Sequence, residues 1–432
     1  MAIQEVGQTL KHFQIRWSSL DGLWRHGDFL KLWSAQTVSQ FGSEISGLAL
    51  PLVAVLVLHA SAFAVAALAV VDFLPFLLFT LPVGVWVDRL PRLPIMVVAD
   101  VGRAVALASV PVEAAVGQLT LTQLFVVGFT TGTLTVFFEV SYQAFLPSLV
   151  ERSRLVEGNG KLEATRSAAL IGGPGLGGLL VRALTAPNAV LVDAGSFVCS
   201  SLCLLTIRGH EVVREHDAVS ASVWRELVDG SRYVLGHRYW RAICISSATF
   251  NFFNYVAFAI LVVYMVRRLE MSALAIGTTL SLANGGALVA ALLAQKIGRR
   301  VGIGRAILAS TFFGYPLVLV PLAPVSHSVP FIVTAFTLEG FGVVLFTVST
   351  TSLIQALTPA GLLGRANATR RFIVWGTIPL AGLVSGGLAS WIGLRPTMFI
   401  GTLGCAFSTV PIVLSPIRHV RELPAEPELG RD

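Results

Sequence analysis

Seven acidic side chains interrupt the apolar stretches of this 432-residue sequence: Glu44, Asp72, Asp100, Glu113, Glu139, Asp193 and Glu339. A charge in such a run is expensive, at least about 2.5 kcal/mol near the centre of a bilayer. A carboxyl shielded from water also takes up a proton more readily than an exposed one. Such a group can therefore trade a proton when its surroundings are wetted and dried in turn. Spacing sorts the seven. Gln36, Gln40 and Glu44 recur at four-residue steps, a polar stripe on one helix face that continues to Gly47. Thr131, Thr135 and Glu139 form a second stripe, continuing to Tyr142. Ser247, Asn251 and Asn254 form a third, and Glu339 continues to Gly342. Glu44, mid-run and flanked by Gln40, is the first candidate for proton exchange. Asp72, in VVDFLPF near Pro75, is the second. Glu139 and Glu339 are candidates for contact with a bound molecule. A structural acid, hydrogen-bonded to a neighbouring helix, is an equally good reading for each one taken alone. Asp100 and Arg103, three residues apart, share a face and are expected to form a structural ion pair. Asp193, in LVDAGSF, is also read as structural, and Glu113 is expected near an outer boundary.

The elements that carry these residues must be membrane helices. The chain is 54% hydrophobic and only 13% charged, with a mean hydropathy of +0.76. A soluble domain carries about 25% charged residues. The net charge of +7 is spread between apolar runs rather than clustered, which argues for membrane topology and against a nucleic-acid partner. Residues 1–28 lack the apolar core and cleavage site of a signal peptide. Spanning runs of about 20 residues are predicted near 32–58, 62–87, 93–116, 121–146, 165–184, 188–207, 242–266, 271–295, 305–324, 329–356, 372–393 and 396–416. With the N-terminus inside, every Lys and Arg except Arg103, Arg182, Arg267, Arg268 and Arg395 falls in or at the edge of a cytoplasmic segment. Both termini are therefore expected in the cytoplasm of a cell whose plasma (inner) membrane holds the protein. Cys199, Cys203, Cys244 and Cys405 lie in or beside apolar runs and read as buried small hydrophobes. No metal site and no cofactor is predicted, since no His or further Cys completes a ligand set with Cys199 and Cys203.

The chain also repeats. Shifted by 208 residues, FEVSYQAFLPSLVERSRLVEGN (138–159) meets FTVSTTSLIQALTPAGLLGRAN (346–367), with Phe138, Val140, Ser141, Leu149, Leu155 and Asn159 each falling on an identical residue. WVDRLPR (86–92) meets LAQKIGR (293–299) at a shift of 207. The predicted organisation is an all-α membrane protein of twelve helices in two six-helix halves. Residues 1–31 form a cytoplasmic tail, 32–207 the first half and 208–241 a linker. Residues 242–416 form the second half and 417–432 a second cytoplasmic tail. In the linker, Val223, Leu227, Val234 and Leu235 alternate with charges, which predicts a short amphipathic helix on the inner membrane surface or, equally, a solvated one. Two parallel repeats of this size suggest a transporter with its site between the halves.

Three stretches resemble the major facilitator superfamily, and within it the macrolide-efflux and enterobactin-exporter-like group of drug/proton antiporters. Gly84-Val-Trp-Val-Asp88-Arg89-Leu-Pro-Arg92 is similar to the family's G-x-x-x-D-R-x-G-R loop, with Pro91 in place of Gly. Residues 137–159 resemble this group's fourth span and the loop after it. IGGPGLGG (171–178) is similar to the family's antiporter motif: Gly160, Gly173, Pro174, Gly177 and Gly178 match, and Ala169 stands where a Gly is expected. The chain has no Arg in its fourth span, so no proton-relay role for such an Arg carries over. The resemblance implies that spans one, four, seven and ten line a central cavity. There Gln36, Gln40, Thr135, Glu139, Tyr142, Ser247, Asn251, Asn254 and Glu339 would meet cargo. Phe137, Phe138, Phe250, Phe252, Phe253, Tyr255 and Phe258 would add aromatic wall. It further implies gating by Gly84, Asp88, Arg89, Arg92, Gly173, Pro174, Gly177 and Gly178. Span five would act as a bendable seam between the halves, and Asp88 would cap a facing helix.

The expected function is secondary active export, driven by protons, of a bulky amphipathic small molecule, by a monomer whose other partner is membrane lipid. A metabolite importer and a lipid flippase remain open on the same fold. An ATP-driven pump is excluded by the lack of a G-x-x-x-x-G-K loop. No nucleophile triad or nucleotide loop suggests an enzyme.

Overall fold

The computed structural model of the protein describes residues 22–87, 89–151, 154–208 and 231–421. Helices Gly27–Val57, Ala62–Val87, Arg92–Ala115, Leu121–Leu149, Leu155–Leu184 and Ala186–Leu205 form spans one to six. Spans seven to twelve are Arg238–Arg267, Ala273–Val301, Ile303–Leu322, Val325–Leu357, Leu362–Ile392 and Leu394–Leu414. All twelve are long and apolar enough to cross a membrane. In hydrocarbon each backbone N–H and C=O must find its partner within the chain, and a continuous helix achieves this locally. Several spans begin on side-chain caps. His26 Nδ1 accepts from Phe29 N–H, Thr120 Oγ1 from Gln123 N–H and Ser272 Oγ from Ala275 N–H. Between spans eleven and twelve the chain reverses at Gly393, whose φ of 89° suits a residue without a side chain.

Two spans start about ten residues earlier than predicted. Spans five and eleven begin near 155 and 362 rather than at 165 and 372, and the two extensions correspond under the repeat. Their first turns are too polar to count toward a hydrophobic run, yet packing keeps them helical. Leu162 is buried, Lys161 pairs with Glu157 at 2.6 Å, and Trp33 Nε1 donates to Thr165 Oγ1 at 3.0 Å. Span eight is broken at Asn284, where the sequence Asn-Gly-Gly interrupts the helix. A Cβ on Gly286 would collide with the Thr337 backbone of span ten, so close helix contact requires the glycine there.

Within the first six spans, one packs on five and six, three on four and six, and two on four. In the last six, seven packs on eleven and twelve, and ten on eight and nine. The main contacts joining these groups are span five with eight and span two with eleven, with a smaller one between span one and the end of span seven. Of the linker helix predicted between the halves, Val223 and Leu227 lie outside the described residues. Residues 231–236 are helical, with Val234 buried and Leu235 49% exposed. The cysteine expectation holds for Cys244 and Cys405 only. Cys199 is exposed and Cys203 half-buried, because span six turns Ser196 and Ser200 inward and the cysteines out.

Candidate functional site

The glycine-rich stretch of span five lies where helices from both halves meet. Gly173 and Gly177 face span one: a Cβ on Gly173 would strike the Glu44 side chain, and one on Gly177 would crowd the Ile45 backbone. Pro174 and Gly178 face span eight, against Gly277 and Ala273. Here Ser281 Oγ accepts from Gly175 N–H at 2.8 Å, and Asn284 Nδ2 donates to the Leu170 carbonyl at 2.6 Å. Small residues let two backbones approach closely, which supplies the association that lipid cannot. At the matching position, Gly382 and Gly386 of span eleven lie against Val70, Ala66 and Phe63 of span two. Arg267 adds a hydrogen bond of 2.6 Å to the Ala60 carbonyl. These contacts occupy the ends of the spans beside residues 60 and 267–272. Beyond Asn284 span eight leaves span five and packs on span ten, through Gly286–Thr337 and Ala287–Gly340. The halves therefore close at one face and diverge toward the face that carries residues 22 and 421.

In the first half Glu44, Glu139 and Tyr142 share the electrostatic influence of a residue that the sequence reading passed over. Arg166 of span five acts electrostatically on all three, with Glu163 near Tyr142. Gln143 hydrogen-bonds Glu139. Arg166 was missed because, as the second residue of the predicted span 165–184, it was counted with the basic loop at that span's edge. Its turn of helix, three residues before the Ala169 of the glycine motif, was the available signal. Glu44 and Glu139 are half-buried, and Asp72 is exposed within electrostatic reach of Tyr255 from the other half.

Other predicted positions sort differently. Asp100 and Arg103 are paired as expected. Ser200 Oγ donates to Asp100 at 2.6 Å, and the Arg103 guanidinium lies 4.5 Å and 4.1 Å from the rings of Phe138 and Phe197. This pair also claims two residues predicted to line the cavity. Thr135 Oγ1 accepts from Arg103 at 3.4 Å, and Phe138 is buried beneath the guanidinium. Gln36, 4% exposed, is likewise packed away from open space, while Gln40 is half-buried. Asp193 accepts from Ser196 Oγ at 3.0 Å and lies beside Gly42, fixing span six on span one. In the hinge loop, Asp88 lies outside the described residues. Arg89 is exposed, Arg92 begins span three, and a Cβ on Gly84 would meet nothing, so packing does not demand glycine there.

The best-formed cavity lies in the second half, with a volume of about 280 Å³. Spans seven, nine, ten, eleven and twelve line it, and Ser247, Asn251 and Glu339 are in its wall as the stripes anticipated. Asn254 lies beside it, donating to Glu339 Oε1 at 3.4 Å. Among the residues the cavity adds to the sequence reading are Arg370 and Trp375 of span eleven. Arg370 was hidden for the same reason as Arg166, since both stand in the polar opening turns of their spans. Among the described residues no cluster of His, Cys, Asp and Glu could hold a metal ion.

Comparison with known proteins agrees with this architecture. A bacterial homologue of the iron transporter ferroportin, 16% identical, superposes in its inward-facing state with a TM-score of 0.72, covering 91% of this chain and 99% of that one. Its outward-facing state gives 0.58, covering 89% and 98%. At this identity the likeness concerns the fold. In sequence, the multidrug efflux pump Tap of Mycolicibacterium fortuitum is 25% identical over 418 residues, 93% of this chain and 99% of the relative. Macrolide efflux protein A of Streptococcus pyogenes is 23% identical over 396 residues, 91% and 97% of the two chains. The transmembrane secretion effector family matches residues 18–429. With twelve spans, two half-to-half seams and a family match over nearly its whole length, the chain belongs to the transmembrane secretion effectors of the major facilitator superfamily.

Proposed function

We propose that the protein is a secondary active exporter that exchanges protons for a bulky amphipathic small molecule by alternating access. In this reading residues 32–207 and 242–416 move as two units, as a monomer in the plasma membrane. The charge asymmetry puts both termini in the cytoplasm, so the described conformation opens inward. The efflux pumps similar to this chain along more than nine-tenths of its length support export as the direction.

The observation that carries the coupling is the contact of Glu44 with Gly173. The side chain of the leading proton-exchange residue packs on span five at Gly173, next to the Pro174 whose carbonyl meets span eight, and so on the helix that carries the seam. Neutralising Glu44 removes a charge from the neighbourhood of Arg166 and changes what span one can present to span five. A proton taken from outside and released inside would thereby bias the seam, and cargo would leave in the opposite direction. Glu139 and Tyr142, beside the same arginine, and Ser247, Asn251 and Glu339 across the gap, are proposed as cargo contacts. Asp72 is the second coupling candidate, and Arg89, Arg92, Pro174, Gly177 and Gly178 are proposed to gate.

The test uses cells loaded with a fluorescent cationic dye. Cells making the protein should retain less dye than cells without it, and a protonophore should abolish the difference. In proteoliposomes, Glu44→Gln should lose transport driven by a pH gradient while retaining the wild-type melting temperature. Wild-type rates for that variant would remove Glu44 from the coupling role.

A further inference from the structure

From the second-half cavity we infer that cargo enters carrying an anionic group, and that Arg370 is the residue that receives it. This rests on the proposal that the cavity holds cargo.

The contrast with Arg103 shows why Arg370 is not a structural cation. Arg103 is surrounded by partners: a carboxylate, a hydroxyl and two aromatic rings. Arg370 lines the cavity and, among the described residues, donates no hydrogen bond and pairs with no carboxylate. Its Nε is buried and unpartnered, as is that of Arg103, but Arg103 has its other nitrogens on Asp100 and Thr135, and Arg370 has no such partner among the described residues. A buried guanidinium nitrogen without an acceptor costs free energy, which an incoming oxyanion would recover.

The rest of the wall favours one kind of guest. Ser246, Ser310, Thr311, Thr350 and Ser408 spend their hydroxyl protons on backbone carbonyls. Their oxygens remain as acceptors, suited to donors on a ligand and not to its anion. Arg370 is thus the cation in a wall otherwise rich in acceptors. The one acid of the wall stands well away. Thr350 lies seven residues before the end of span ten, and Arg370 eight residues into span eleven, so the two are at matching depth. Glu339 is eleven residues beyond Thr350 along span ten, about 16 Å of helical rise. The cavity therefore has a cationic end toward the open face and an acidic end deeper in. Trp375, five residues beyond Arg370 and 42% exposed, supplies an aromatic ring at the same wall, with the Arg371 guanidinium 5.7 Å from its centre. The fit is an amphoteric aromatic molecule with its carboxylate or phenolate at Arg370 and its donor groups toward Glu339 and Asn254.

Two dyes that differ by one carboxylate test this: rhodamine 110, with a free benzoate, and rhodamine 123, its methyl ester. Binding to purified protein is read by fluorescence anisotropy in detergent. The wild type should prefer rhodamine 110. Arg370→Ala should weaken rhodamine 110 by about tenfold or more, as expected for loss of a charged hydrogen bond, and leave rhodamine 123 within about twofold. Arg370→Lys, which keeps the charge but not the two-pronged geometry, should fall between. An unchanged thermal unfolding midpoint for Arg370→Ala separates binding from folding. Equal loss of both dyes, loss of neither, or a wild type without preference for the free carboxylate overturns the assignment. Because binding is read and not transport, such a failure leaves export itself standing, whereas failure of the retention assay with normal binding would count against export alone.

Discussion

The two seams that hold the halves together are related by the internal repeat but built differently. Gly178 of span five corresponds to Gly386 of span eleven at the 208-residue shift, and Ala273 and Gly277 of span eight to Ala66 and Val70 of span two at 207. In the five/eight seam backbone meets backbone. A Cβ on Gly277 would collide with the Pro174 carbonyl, and two hydrogen bonds, from Gly175 and Asn284, fix the register. In the two/eleven seam the Val70 side chain fills the space opposite Gly382, and Phe73 and Trp375 meet edge to face at 6.2 Å. Hydrogen bonds and carbonyls are directional and tolerate little sliding. Methyl groups and rings tolerate more. One seam thus fixes how the halves meet, and the other accommodates motion.

The difference can be broken by substitution, beginning with the largest effect. Gly277→Leu should abolish dye export, because no rotamer avoids the span-five backbone. Normal export by this variant would mean that the five/eight seam need not close. The next test is a pair. Gly277→Ala should reduce transport strongly, since overpacking a backbone contact costs about 1–3 kcal/mol. Gly382→Ala displaces only a Val70 methyl and should retain most activity. Equal losses in the two would erase the distinction drawn above. Arg267→Ala removes the far-face hydrogen bond to the Ala60 carbonyl. A charged donor is worth about 1.5–3 kcal/mol, so the population open at that face should rise by about tenfold or more, measurable by labelling an introduced cysteine from outside. The smallest effect is expected from Ser281→Ala, which deletes one neutral hydrogen bond to Gly175 worth about 1 kcal/mol and should slow transport by a few-fold at most.

The seam was legible before the structure because its signal is local. Glycines and a proline at fixed spacing inside an apolar run have few uses other than close helix contact. The twelve spans were legible because lipid imposes length and hydropathy on each one. The Asp100–Arg103 pair was legible because three residues along a helix put two side chains on one face. What escaped were Arg166 and Arg370. Arg370 lies in helical turns too polar to register as a membrane span and Arg166 at the edge of such turns, and what keeps those turns helical is tertiary, through contacts such as Trp33–Thr165 that no local pattern announces. The stripe on span four was read correctly as polar but not as divided. Thr135 hydrogen-bonds Arg103 of span three, while Glu139, one turn on, feels both that Arg103 and Arg166 of span five electrostatically. Periodicity reports which residues share a face, but not which neighbour that face meets.

The alternation itself is most directly measured by pulsed electron spin resonance, with the four native cysteines replaced. One label pair spans the five/eight seam at its closed end, on the exposed Leu184 and Ser272. A second spans the same two helices at the open end, on the exposed Val156 and Leu292. Moving from cargo-free protein in acid to cargo-loaded protein at alkaline pH should lengthen the first distance and shorten the second in the same fraction of molecules. Two distances that stay fixed, or that change in the same direction, would contradict the rocking of two halves about these seams.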